Sequence, residues 1–313
     1  MKKIRLKVEK SERLDSFLQK FLPQKMQNVN SLQVSNSKIR RLIISGSVLV
    51  DGKICKRPSF ILYEDSSVIC NIDEEKFFFE KKPNDIEYEL TLKDVLYEDD
   101  VLIIVNKPAF VPTEKTIVED RINMHQCVVE YLWRKEPALR NAPYVGIMHR
   151  LDRETSGTLL FTKSRTVNSC IHNAFEGHSI KKTYRAVCSK NSECKFYKGS
   201  SFYVEGNMNR ISPKSSACKM GLVKNGGLFS KTNFTIVDEE NSLCYVDCFL
   251  ETGRTHQIRV HLSSVGLPLL GDTLYGGKEA ERIMLHAQSL ELLHPLTKEK
   301  IDVKAPLPLG FSL

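Results

Sequence analysis

The stretch His149-Arg150-Leu151-Asp152-Arg153-Glu154-Thr155-Ser156-Gly157 sets the reading of this chain. It places one aspartate among three charged neighbours in a short polar segment, and apolar sequence (Leu159, Leu160, Phe161) follows at once. A polar loop that feeds a buried strand is where a scaffold presents reactive groups. Asp152 lies two residues after one arginine and one before another. Nearby cations favour its ionised form, the form in which a carboxylate acts as nucleophile or base. A salt-bridged turn punctuated by Ser156-Gly157 accounts for the same residues. Spacing alone favours that plainer reading, because structural ion pairs perturb carboxylates as well.

At 313 residues there is room for two domains. Hydrophobic content of 41% and charged content of 27% are ordinary for a soluble globular protein. No apolar run approaches the length of a bilayer span. The start, Met1 to Lys7, is basic without the apolar core of a signal peptide, so a cytoplasmic protein is expected. The nine cysteines are odd in number and contain no Cys-x-x-Cys pair. Cys244 and Cys248 share one face of a strand-like run and read as small core residues. His256 and His261 are five apart, poor spacing for one helical face, and no metal motif emerges.

Charge is unevenly placed. Residues 1–72 hold 14 Lys+Arg against 6 Asp+Glu, whereas the remainder holds 32 of each. A basic module beside a neutral body suggests one part that grips a polyanion. A solvated basic face with no partner fits the charge equally well.

The basic module has readable structure. Leu14, Phe17, Leu18 and Phe21 recur at i, i+3, i+4 and i+7, which predicts an amphipathic helix capped at Ser11. The polar stretch 24–36 reads as a loop. A second helix starts near Ser37, with Ile39, Leu42 and Ile43 inward and Lys38, Arg40 and Arg41 outward, and Gly46 ends it. Asp51-Gly52 between short apolar runs predicts a hairpin, and a strand near Ser67 to Ile72 closes the unit. This order resembles the S-four-like RNA-binding domain. The resemblance implies RNA-backbone contacts at Lys38, Arg40 and Arg41, with Lys53 and Lys56 beside them, which would position RNA without reading its sequence.

Residues 73–92 form a charged, aromatic connector whose Phe77, Phe78 and Phe79 read as anchors on a domain surface. Beyond it, strands are predicted at Val101–Val105, Thr158–Lys163, Thr183–Cys188, Asn233–Val237 and Cys244–Leu250. Helices are predicted at Met124–Trp133, Thr166–Phe175 and Thr255–Ser264, and 189–201 and 208–230 read as loops. Strands outnumber helices without βαβ alternation. The expectation is an α+β fold on a mixed or antiparallel sheet, residues 93–313, preceded by a small α/β RNA-binding domain, residues 1–72.

Several motifs follow in order: Asn106-Lys107-Pro108, the aspartate run at 149–157, Lys182-Thr183-Tyr184-Arg185-Ala186, Gly253-Arg254-Thr255-His256-Gln257-Ile258-Arg259-Val260-His261-Leu262, Gly271-Asp272, Tyr275-Gly276 and Leu285-His286-Ala287. With His294-Pro295 and Ala305-Pro306-Leu307-Pro308, this set resembles the RluA-type pseudouridine synthases over about residues 95–308. Phe110 departs from the pattern, standing where the family has glycine. A second departure follows Tyr184, whose strand runs into Ser189-Lys190-Asn191 without the family's glycine.

The resemblance implies an enzyme that isomerises uridine within RNA, most simply large-subunit ribosomal RNA, by detaching, turning and rejoining the base. No atoms leave, so no redox or group-carrying cofactor is needed. It implies that Asp152 is the catalytic carboxylate, as nucleophile or base, paired with Arg254, which would hold it charged. Tyr184 would stack on the target base. Arg150 would fill the gap left by the everted nucleotide. Ile258 would wall the base pocket and Arg259 would touch RNA phosphate. His149 reads as a loop-shaping residue, and His256, Gln257, His261 and His286 receive no role. Competing readings are a non-catalytic RNA-binding ribosome-assembly factor, transfer RNA as the substrate, and a ribonuclease using His149 or His286 with Asp152. A monomer with RNA as its partner is expected.

Overall fold

The computed structural model describes residues 2–26, 34–73, 86–115, 121–213 and 218–312. The chain divides into two compact units, Met1–Pro83 and Asn84–Leu313. The phenylalanines at 77–79 and most of the polar stretch 24–36 lie outside the described residues.

In the first unit, β1 (Lys2–Lys7), β2 (Glu12–Arg13), α1 (Leu14–Lys25), α2 (Asn36–Ile44), β3 (Val48–Val50), β4 (Lys53–Ile54), β5 (Ile61–Leu62) and β6 (Ser67–Ile72) follow in order. The sheet runs β1-β6-β3-β4, and β2 pairs with β5. Of the expected helical stripe, Leu14, Phe17 and Leu18 are buried with Ile39, Leu42 and Ile43 in one core, whereas Phe21 is only partly buried and Leu22 takes the inward place. Ser11 is not the cap of α1. Arg13 occupies that position without a side-chain bond, and the Ser11 hydroxyl donates to the Leu62 carbonyl. Gly46 closes α2 at φ +81°, a left-handed position natural to glycine, with the Ser47 and Gly46 amides donating to Leu42 and Ile43 carbonyls. Asp51 and Gly52 both take positive φ, so the hairpin turn forms where the dipeptide predicts it. β1 is the element that the sequence reading passed over. Lys3, Arg5 and Lys7 alternate with Ile4 and Leu6 and hid the strand among basic residues.

The second unit is built on one eleven-stranded sheet. Its strands are β7 (Val95–Glu98), β8 (Leu102–Lys107), β9 (Gly146–Ile147), β10 (Ser156–Thr162), β11 (Lys181–Ser189), β12 (Ser201–Arg210), β13 (Met220–Val223), β14 (Leu228–Glu240), β15 (Leu243–Leu250), β16 (Leu285–Leu293) and β17 (Lys300–Lys304). The order is β13-β12-β14-β15-β11-β16-β10-β8-β7, with β9 beside β10 and β17 beside β16. The pairing is antiparallel except between β10 and β16, so the sheet is mixed. With α3 (Met124–Lys135), α4 (Asn168–Glu176) and α5 (Gln257–Ser264) it makes an α+β fold.

β8 and β10 are apolar on both faces because both are covered. Ile103, Val105, Leu159 and Phe161 enter the main core with α3, whereas Leu102, Ile104 and Leu160 pack with Ile171 of α4. Cys244 and Cys248 are fully buried, as expected. Two expectations need correction. Segment 189–201 is a loop between the end of β11 and the start of β12, as expected, but segment 208–230 holds the end of β12, all of β13 and the start of β14. Val204 and Met208 are the buried residues of β12, and most of its polar residues face solvent, which leaves the end of the strand without an apolar signal. The connector expected over 73–92 is shorter, since Leu90 is fully buried in the large core and Tyr88 packs against it.

Candidate active site

The aspartate run forms the turn that enters β10. Lys107, fully buried at the end of β8, donates to the carbonyls of Pro108 (2.8 Å), Val111 (2.7 Å) and Arg153 (3.1 Å). Burial pushes its pKa down to about 7, while three carbonyl acceptors hold it in place. The Thr113 hydroxyl donates to the Leu151 carbonyl and accepts from the Leu151 amide, and the Phe110 amide donates to the Arg153 carbonyl. Asp152 is therefore gripped through the residues on either side of it. Gly157 sits at φ +112°, where a Cβ would strike the Ala287 carbonyl, so only glycine lets β10 approach β16 this closely. Behind the turn, Ser156 bonds to both His286 Nδ1 and Arg282.

The half-buried carboxylate of Asp152 faces a cleft of about 1410 Å³ lined also by Arg150, Tyr184, Arg254, Ile258 and Arg259. Its partner is Arg259, whose Nη1 lies 3.3 Å from Asp152 Oδ2. The other side of that guanidinium is fixed by Asp272, which accepts from Nε at 2.7 Å and from Nη2 at 2.9 Å. Asp272 is almost fully buried, and the Tyr275 ring lies 5.1 Å from the guanidinium carbon. Burial alone would lower the Arg259 pKa, but the Asp272 bonds and charge outweigh it and the net shift is upward. Two carboxylates around one arginine leave a net negative charge, so Arg259 steers Asp152 without neutralising the whole cluster.

His256 adds a third contact. Its backbone is left-handed, its Nδ1 lies 2.9 Å from the Tyr275 hydroxyl, and its Nε2 lies 3.8 Å from Asp152 Oδ2. The Tyr275 hydroxyl already accepts from the Met220 amide. Burial first, then the Arg259 charge, lower the imidazole pKa and favour the neutral ring. Tyr184 is buried on β11, and its hydroxyl is held well above its ordinary range by burial first and the Asp152 charge second. It stays a neutral phenol. Ile258 is buried at the cleft wall. Arg150 is exposed at the mouth and pairs with Glu114 at 2.6 Å.

These features lie within a recognisable sequence. Residues 101–264 match the family described as RNA pseudouridylate synthase, and residues 31–66 match the S4 domain. The ribosomal large subunit pseudouridine synthase D of Neisseria meningitidis (serogroup A / serotype 4A) is 31% identical over 95% of this chain and 76% of its own length. The chain belongs to the RNA pseudouridylate synthase family. An uncharacterized RNA pseudouridine synthase of Bacillus subtilis is 34% identical over 69% of this chain and 68% of its own length. The solved structure of human RNA pseudouridylate synthase domain containing 4 superimposes with a TM-score of 0.55 at 20% identity, covering 70% of this chain and 90% of that one, which shows the shared fold.

Within this family member, two expected pairings are corrected. Arg254 is not the partner of Asp152. It precedes the left-handed residue that starts α5, and its Nε donates to the Phe229 carbonyl at 2.9 Å. Arg259, five residues on, takes that role. It is about 7% exposed and bonded on both sides, so little of it is left to meet the phosphate that the sequence reading assigned to it. The signal was present, since Arg259 sits inside the apolar run Ile258 to Leu262. Gln257 and His261 have clear structural work. Gln257 accepts from the Arg254 amide and the Thr252 hydroxyl and donates to the Lys231 carbonyl and Thr232 hydroxyl, stapling the turn to β14. His261 bonds Ser230 and Thr232. His149 accepts from the Leu160 amide, and burial pushes its pKa down to about 3, while His286 is fully buried behind the turn. His149 lines the cleft but its Nε2 is taken by the Leu160 amide.

In the first unit, Arg41, Lys53 and Lys56 are exposed, and the Lys56 stem passes Gly46 at the end of α2. The side chain of Arg40 is 59% exposed and lies 3.5 Å from Asp15. Lys38 is the exception: it is about 6% exposed, so it does not face outward as its helical position suggested.

Proposed function

We propose that this enzyme converts uridines of large-subunit ribosomal RNA to pseudouridine, with Asp152 as the catalytic carboxylate acting on an everted nucleotide. The observation that carries the reading is the Asp152–Arg259–Asp272 chain at the wall of an open cleft, with Tyr184 and Ile258 beside it. The base leaves ribose at the bond from C1′ to N1 and rejoins through C5. N1 gains a proton and C5 loses one, so the reaction balances without a co-reactant. An ionised Asp152 serves either as the nucleophile at the reacting centre or as the base at the sugar. Arg259 aims it. Tyr184 and Ile258 bracket the base, and Arg150 at the mouth can turn from Glu114 into the space the nucleotide leaves. Eversion costs a few kcal/mol, part of which a stacked guanidinium recovers.

The choice of ribosomal RNA is supported by the name of the Neisseria relative and by the S4-type basic unit. The test incubates the purified protein with transcripts of large-subunit RNA and of transfer RNA and maps pseudouridine. Conversion confined to the ribosomal transcript is expected, and Asp152→Asn removes it while RNA binding persists. Conversion of transfer RNA alone overturns the substrate assignment. Undiminished conversion by the Asn variant removes Asp152 from the mechanism.

A further inference from the structure

One cation of the cleft is not engaged by the Asp152 cluster. Lys182 lies on β11, two residues before Tyr184 and on the same face of the strand, and lines the cleft with Asp152. Its ammonium lies 5.7 Å from the centre of the Phe175 ring and beside the backbone of Gly253, the residue before Arg254. Among the described residues it has neither a carboxylate nor a hydrogen-bond acceptor. The carboxylates lining the cleft are committed elsewhere: Asp152 to Arg259, Glu114 to Arg150 and Glu176 to His172. Seven lysines and arginines line the cleft against those three acids, although residues 73–313 carry equal numbers of each sign.

A largely buried ammonium without a counterion weakens the free protein. Burial lowers the Lys182 pKa accordingly. Such a group is at ease once an anion arrives. We infer that Lys182 is the seat of a backbone phosphate of the RNA next to the target uridine, with Arg254 closing the seat from the far side of Gly253. The inference rests on RNA being the substrate, as proposed above. A compact point charge suits one phosphate oxygen, and the position beside Tyr184 sets the reach from that phosphate to the everted base.

The experiment compares Lys182→Met and Lys182→Arg with the unaltered enzyme, using the ribosomal transcript at several salt concentrations. Conversion by the unaltered enzyme checks the substrate reading first, so its failure is seen separately. For Lys182→Met, the slope of log affinity against log salt should fall by about one. Its KM should rise about tenfold, with kcat falling less than KM rises. Lys182→Arg should restore the slope. Thermal melting of Lys182→Met without RNA should move up by about 2 °C, because an unpaired charge is gone. A salt slope equal to that of the unaltered enzyme, or a loss confined to kcat, overturns the phosphate seat.

Discussion

The N-terminal unit and the cleft both gather cations, and they do so by opposite means. In the first unit, Arg41, Lys53 and Lys56 stand in solvent on short elements, and their number shows in the composition. Residues 73–313 are neutral in composition, and in the cleft placement does the sorting: Arg259 is locked between carboxylates, whereas Lys182 is left without one among the described residues. Exposed charges are screened by salt and exchangeable for one another. A buried guanidinium fixed by two bonds to Asp272 is neither. The comparison teaches that the same residue type stands exposed to solvent in one place and steers a carboxylate in the other.

The sharpest way to break this contrast is Arg259→Met. Removing one partner of a buried pair leaves Asp152 and Asp272 uncompensated, at a cost of roughly 2–5 kcal/mol. Pseudouridine formation should fall by at least about a hundredfold in kcat. Arg254→Met, in the same motif, should act mainly on RNA affinity. Steady-state kinetics of the two variants decide the matter. A larger kcat loss in Arg254→Met than in Arg259→Met would restore the pairing expected from sequence and reject the geometry described here.

A smaller effect is expected from the exposed cations. The triple variant Arg41→Gln, Lys53→Gln, Lys56→Gln should lower the salt slope of RNA binding by about two to three, with KM carrying the loss. Filter-binding or fluorescence titration at stepped salt reads this directly. An unchanged slope would mean that the basic unit is a solvated face and that RNA is held by the cleft alone.

These outcomes also mark what the sequence could disclose. Local rules were enough for the Asp51-Gly52 hairpin, the Gly46 helix end and the apolar strands β8 and β10, because each follows from a residue's own backbone or from a run of neighbours. They were enough to place Asp152 in a turn before a buried strand. They failed where the answer depends on a distant partner. Arg254 and Arg259 differ in role because Asp272, 13 residues beyond Arg259, reaches the latter. Lys38 has the helical position of an outward residue, yet the unit covers it. β12 has too few buried residues to announce itself, since much of its surface faces water. Lys107 was visible as part of a motif, but its hold on the aspartate turn depends on Arg153, 46 residues away.

The smallest expected effect concerns Phe110, where the resemblance in sequence leads to an expectation of glycine. Phe110 adopts φ +70°, a left-handed conformation that costs a residue with a Cβ about 1 kcal/mol relative to glycine. Its ring lies 5.5 Å from the guanidinium carbon of Arg153, next to Asp152. The two contributions oppose each other, and a pair of variants separates them. Phe110→Ala keeps the strained backbone and loses the ring, whereas Phe110→Gly loses both. The glycine variant should therefore unfold with about 1 kcal/mol more stability than the alanine variant in denaturant titration. The difference between alanine and the native phenylalanine then measures the ring over Arg153, about 0.5–1 kcal/mol at such a site. Equal stability of the alanine and glycine variants would show that the turn relaxes freely. In that case the Phe110 amide, which bonds the Arg153 carbonyl at 2.7 Å, could not be one of the fixed points that aim the carboxylate.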